Sequence, residues 1–296
     1  MTLLVAALIA WSALAGADEA VTLSGPLTQG SLVYGQVEPG SQVWLNERPV
    51  RVTADGHFVI GFGRDAALEQ ALKVVSPAGT QSSRALSLTR RDYRVQRVDG
   101  VPQRTVTPSP LKAGRIRIEA VEVRRARKAD SDRQDFLGPF IWPASGPITG
   151  VYGSQRVYNG KPRSPHFGVD VAAPEGAPVL APAAGTVTLA EPDLFFSGGT
   201  VIIDHGYGVS STFLHMSRLS VRLGQPVEQG EKIGEVGRTG RATGPHLDWR
   251  MNWYDVRVDP VSVAPPLVDG HTPPATALSQ RDEDDAEQRD GTKVDP

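Results

Sequence analysis

The 296-residue chain contains no cysteine. That absence excludes disulfide staples, thiolate metal sites and cysteine nucleophiles, so any metal must be held by histidine and carboxylate. The chain also lacks an excess of charge of either sign: 31 Lys and Arg stand against 33 Asp and Glu, a net charge of -2. Without the basic footprint that phosphate backbones or anionic lipids attract, nucleic acid and an anionic membrane surface are disfavoured as partners. Beyond the first residues there is no run of the ~20 apolar residues that a membrane-spanning helix needs. What is abundant is turn chemistry. With 31 Gly and 24 Pro among many Val and Thr, the composition predicts short strands joined by turns, hence a mainly β protein. The length suits about two domains.

Taken in order, residues 1–17 are apolar through Leu3, Leu4, Val5, Leu8, Ile9 and Trp11 and end in small residues. Ala13-Leu14-Ala15 and Ala15-Gly16-Ala17 both fit a small-x-small cleavage site, so this stretch is expected to be a signal peptide. The expected location is then the periplasm or cell envelope, with no membrane span after cleavage. A signal normally starts with positive charge, and its lack here leaves an uncleaved anchor or a mis-set start as alternatives.

Residues 18–89 alternate and turn often, and Asp55-Gly56 between two apolar stretches is a hairpin signal because a positive φ costs glycine little. A small β-sandwich is expected, resembling the immunoglobulin-like modules that precede catalytic domains in bacterial envelope proteins. His57, beside that turn, reads as a surface strand residue. Residues 90–136 form a charged connector. Ser109 as N-cap and Pro110 at the first helical position predict a helix through Leu111, Ile118 and Val121, while alternating Arg115-Ile116-Arg117-Ile118 leaves a strand open. Its cluster Arg124, Arg125, Arg127 and Lys128 reads as a solvated helix face, with contact to an acidic polymer as the alternative. Residues 137–266 read as an all-β domain. Residues 267–296, with Arg281-Asp282-Glu283-Asp284-Asp285, have too little to bury and are expected to be a disordered acidic tail.

Four of the six histidines lie in the second domain: His166, His205, His215 and His246. In Pro165-His166-Phe167-Gly168-Val169-Asp170, strand periodicity would put His166 and Asp170 on one face, a pairing of imidazole and carboxylate suited to Zn²⁺. In Gly244-Pro245-His246-Leu247-Asp248 the same periodicity aligns His246 with Asp248, and His215 closes a third strand. His205 reads as a structural residue by a hairpin, and Trp249 and Trp253 as core. Tyr158, in the loop before the first ligand, is weighed as an oxyanion helper against surface packing.

These three stretches, with the glycine-rich pattern of Val227-Glu228-Gln229-Gly230-Glu231-Lys232-Ile233-Gly234, resemble the signatures of the lysostaphin-like (LytM-type) zinc metalloendopeptidases. The resemblance covers the C-terminal two-fifths of the chain. It implies an antiparallel β metallopeptidase domain of the duplicated-hybrid, barrel-sandwich kind. It implies Zn²⁺ held by His166, Asp170 and residue 248, with His215 and His246 in catalysis, and hydrolysis of peptide cross-links in bacterial peptidoglycan by a metal-bound water. Some members of that family are inactive and instead switch on another cell-wall hydrolase, which is the rival expectation. The family's third ligand is normally histidine, and here it is Asp248. On electrostatic grounds, a second anionic ligand should acidify water less, so Asp248→His is expected to raise activity.

Overall fold

Alternation of apolar and polar residues over the first third of the chain builds two small antiparallel sheets. The computed structural model describes residues 21–98, 110–158 and 160–273. The predicted signal peptide, the Ser109 cap and the charged run at 281–285 lie outside these residues.

The N-terminal strands are β1 (Thr22–Ser24), β2 (Leu32–Gln36), β3 (Gln42–Leu45), β4 (Arg48–Val50), β5 (His57–Gly61), β6 (Glu69–Val75) and β7 (Gln81–Ser87). They pair in the orders β1-β2-β5 and β4-β3-β6-β7. Next come β8 (Val95–Val98) and the helix α1 (Pro110–Ala126). Of the helix and strand open to residues 110–118, the chain forms the helix, with proline at home in its first turn.

The C-terminal strands begin with β9 (Ile148–Gly150), β10 (Gln155–Tyr158), β11 (Lys161–Pro162), β12 (Val169–Val171) and β13 (Pro178–Leu180). They continue with β14 (Gly185–Leu194), β15 (Gly198–Gly206), β16 (Val209–Met216), β17 (Arg218–Leu219) and β18 (Pro226–Val227). The last are β19 (Lys232–Glu235), β20 (Leu247–Trp253) and β21 (Val256–Val258). The large sheet runs β18-β14-β15-β16-β20-β12-β9, with β21 added beside β20. The chain is mainly β, as the composition implies.

Register decides which side of this sheet does what. Val201, Phe213 and Trp249 stand in one cross-strand row, and Ile203, Ser211 and Met251 in the next; this side faces the main core. The opposite side carries Ile202, Thr212 and Arg250 in one row, with Ser210 opposite Asn252 and Leu214 opposite Asp248. It too is covered. Val123 and Ala126 of α1 pack against Leu189, Leu194 and Ile202, which is why β15 and β16 are buried along their whole length.

Two boundaries differ from the sequence reading. Residues 95–98, assigned to the connector, form β8, which pairs in parallel with β10 and so belongs to the C-terminal half. The packed chain also runs on past residue 266. The buried Thr272 hydroxyl donates to the Ala144 carbonyl at 2.9 Å and accepts from the Gly146 amide at 2.9 Å, so packing continues past residue 266.

Candidate metal centre

His166 lies in the loop before β12, held at both backbone groups: its amide donates to the Ser154 carbonyl at 2.8 Å and its carbonyl accepts from the Gly153 amide at 2.8 Å. It therefore meets Asp170 by a bend at Gly168 and not by the strand periodicity expected of it. Asp170 sits on β12 directly opposite Asp248 on β20. Two carboxylates facing each other across a ladder repel, so the arrangement calls for a cation between them. His166, Asp170 and Asp248 each offer a ligand atom within 4.8 Å of the others.

His166 Nε2 and Asp170 Oδ1 are buried, lie 3.2 Å apart, and have no well-aligned hydrogen-bond partner elsewhere. Ligands about 2.0–2.1 Å from a tetrahedral zinc stand roughly 3.3 Å apart, so this pair has the span of one edge of such a site. Burial opposes protonation of His166, but the hydrogen bond to Asp170 and the charges of Asp248 and Asp170 outweigh it and raise its pKa. That push is the signature of a position built for positive charge.

Asp248 brings the feature that sequence reading missed. Arg250, two residues along the same strand and hence on the same side, grips it bidentately. Its Nε donates to Asp248 Oδ1 at 2.9 Å and Oδ2 at 3.1 Å, and its Nη2 donates to Oδ2 at 2.5 Å. Burial pushes the Asp248 carboxyl up, but the Arg250 guanidinium more than reverses this and holds it below the usual range. A carboxylate offers about four lone-pair sites, and three are used, which leaves Oδ1 free to accept one more partner. Glycine makes the room: a Cβ on Gly168 would strike Asp248 Oδ1 and Arg250 Cγ, and one on Gly150 would strike Asp170 Oδ2. The residues present therefore fit a divalent cation, with Asp248 as a one-oxygen ligand shared with Arg250. The spacing Asp-x-Arg was the signal that could have revealed it.

His215 and His246 complete the site, with ring centroids 4.9 Å apart. His215 Nδ1 bonds the Thr239 carbonyl at 2.8 Å and His246 Nδ1 the Gly244 carbonyl at 2.8 Å. A carbonyl only accepts, so both Nδ1 atoms carry the proton and both Nε2 atoms present a lone pair. His246 Nε2 lies 3.9 Å from Asp170 Oδ1. Burial keeps His215 neutral, lowering its pKa against the pull of the Thr239 carbonyl and Asp248. His215 also has φ 67°, a left-handed conformation rarely adopted by non-glycine residues, as is common where a side chain is held for function.

The other expected residues fall elsewhere. His205 is fully buried between the Ala184 carbonyl and the Ser211 hydroxyl, at 2.7 and 2.9 Å, and is structural. Trp249 and Trp253 are core residues. The side chain of Tyr158 lies outside the described residues. Arg127, expected in a solvated face, instead has its Nε buried and unpartnered. It points to the sheet because it follows the helix's last packed residue, Ala126.

Comparison with known proteins follows the same outline. Residues 164–260 match the family model described as Peptidase family M23. A solved Pseudomonas aeruginosa structure assigned to peptidase M23 aligns at 30% identity and TM-score 0.60, covering 80% of this chain and 94% of that one. The DD-carboxypeptidase/endopeptidase Mpg of Neisseria meningitidis serogroup B is 45% identical over 101 residues, 34% of this chain and 23% of the relative. The peptidoglycan DD-endopeptidase ShyA of Vibrio cholerae serotype O1 is 40% identical over 88 residues, 30% of this chain and 20% of the relative. The chain thus spans less than a quarter of the length of these two curated relatives.

Proposed function

Since the chain belongs to peptidase family M23, we propose that it is a metal-dependent endopeptidase acting on the peptides of bacterial peptidoglycan, with zinc held by His166, Asp170 and Asp248. The observation that carries this reading is the convergence of His166, Asp170 and Asp248, with His166 Nε2 and Asp170 Oδ1 buried without other partners and a second carboxylate directly across the ladder. The printed activities of the Neisseria and Vibrio relatives supply the substrate class.

When bound, the metal supplies Lewis acidity to the amide bond under attack. The protein's own residues do the rest. His215 and His246, with Nδ1 bonded to a carbonyl, turn Nε2 toward the site, one to take a proton from the attacking water and return it to the leaving amine, the other, protonated from solvent, to steady the developing charge. The Thr239 and Gly244 carbonyls fix both tautomers, so neither ring reorients between steps. The small-x-small pattern near the start of the chain supports the reading that the protein acts in the cell envelope. Among the described residues, no helix is long and apolar enough to cross a membrane.

The test is metal analysis of the purified protein together with peptide release from isolated cell walls. One bound zinc per chain, and release abolished by chelation and restored by zinc, is the expected result. His215→Ala should lower the rate by about 100-fold or more with metal content unchanged. No metal uptake and no release with zinc supplied would replace this reading with that of a peptidoglycan-binding protein, or an activator of a separate hydrolase.

A further inference from the structure

Beside the candidate metal centre the sheet carries more positive charge than it can neutralise. Arg250 and Asn252 lie on one side of β20, and Arg257, directly opposite Asn252 on β21, shares that side. Arg257 Nη1 donates to Asn252 Oδ1 at 3.1 Å, a neutral partner. Arg127 comes from the end of α1, within electrostatic reach of Arg250, Arg257 and Asp248. Three guanidinium groups thus lie in the field of Asp248, which Arg250 already grips, and Asp170, across the ladder, is the other carboxylate acting on Arg250. Two hydroxyls on the facing strand add to the imbalance. Ser210 and Thr212, opposite Asn252 and Arg250, are 2% and 1% exposed, and their oxygens have no hydrogen-bond partner, like Arg127 Nε.

A buried cation or hydroxyl without a partner costs free energy, and several together mark a site that lacks its counterpart. Burial, with Arg257 and Arg250 adding repulsion, pushes the Arg127 guanidinium down to about 8. Arginine does not lose its proton in proteins, so the same repulsion is expressed as a pull on any anion that arrives. The three arginines remain partly exposed.

We propose that Arg127, Arg250 and Arg257, with the hydroxyls of Ser210 and Thr212, form an anion site beside the His166–Asp170–Asp248 cluster that takes the carboxylate of a peptide. The identity of that ligand rests on the peptidase reading above; the anion site itself does not. Guanidinium groups suit a carboxylate because their planar forks donate two parallel hydrogen bonds to it. A peptide anchored by its carboxylate here would lie beside the metal cluster, so the site selects among stem peptides by whether they carry a free acid at that position. It also makes the connector helix part of the binding surface, through Arg127.

Chelator-treated protein keeps binding separate from hydrolysis. Its thermal unfolding would be followed with N-acetyl-D-alanine and with the C-terminal amide of the same compound, and the affinities taken by calorimetry. The acid should raise the unfolding temperature and the amide should not. Arg127→Gln and Arg257→Gln should each weaken binding of the acid about tenfold or more, the worth of a charged hydrogen bond. Equal effects of acid and amide, no effect of either, or unchanged binding in both variants would overturn the proposal. Binding without any peptide release by the zinc-loaded protein would instead remove the peptidase reading and leave the site standing.

Discussion

Asp248 and Arg250 behave as one unit. Residue 248 alone suggests a weakened metal ligand that histidine would restore, but Arg250 changes the expected outcome. Removing one partner of a buried ion pair leaves the other charge without compensation, which costs about 3–5 kcal/mol. Asp248→His alone should therefore destabilise the metal-free protein by that amount in urea denaturation, and any gain in activity would be masked. Adding Arg250→Met should recover most of the loss. A single variant as stable as the parent would show that the pair is not closed in solution. At this scale the sequence was partly legible. His166, Asp170, His215, His246 and Asp248 stand out by residue type and by the family resemblance, and their side chains lie together in the structure. Arg250 was readable in principle from strand periodicity. Arg127 and Arg257 were not, since nothing local distinguishes a basic residue that turns inward from one that stays in water.

Among the elements, α1 is held to the molecule by few apolar contacts. Its sequence has no apolar stripe at helical spacing: Ile118 and Val121 are 65% and 56% exposed, and Val123 and Ala126 do the packing. Its other attachments are polar. Arg115 Nη2 bonds Asp193 Oδ2 at 3.1 Å, and the Phe195 amide donates to Glu119 at 2.8 Å. Exposed ion pairs contribute at most about 1 kcal/mol each. Backbone amides of residues 113–126 should thus exchange with solvent by local opening, while those of β16, buried throughout, exchange by opening on the scale of global unfolding. Mass-spectrometric hydrogen exchange would check this, and equal protection of the two would contradict it. The helix itself was legible from Pro110 onward, but its place over the sheet was not, because a weakly amphipathic segment carries no address for what it covers.

For the whole molecule, one continuous core runs from Val21 to Val258 across both halves. Gly61 packs so closely on Trp253 that a Cβ would clash, the Leu32 amide donates to Ser262 Oγ at 3.2 Å, and Arg91 pairs with Asp259 at 2.8 Å. Residues separated by some 200 positions are tied together in this way, which no local pattern announces. The mainly β class, by contrast, follows from composition and turn chemistry. What the sequence reading separated as a module, a connector and a catalytic domain is bonded into one body.

The parallel pairing of β8 with β10 has a practical outcome for anyone wishing to transplant the peptidase. The Gly153 and Ser154 backbone that clasps His166 is itself anchored upstream: Arg64 Nε donates to the Gly153 carbonyl at 2.9 Å, and the Gln155 amide to the Arg94 carbonyl at 3.0 Å. A fragment cut at the limits of the family match, 164–260, would carry all five metal and histidine positions yet none of these anchors. It should bind zinc about 10–100-fold more weakly than the full chain, the usual loss when a ligand's support is removed, as titration against a competing chelator would measure. A graft that keeps Arg64 and Arg94 would retain the clasp on His166.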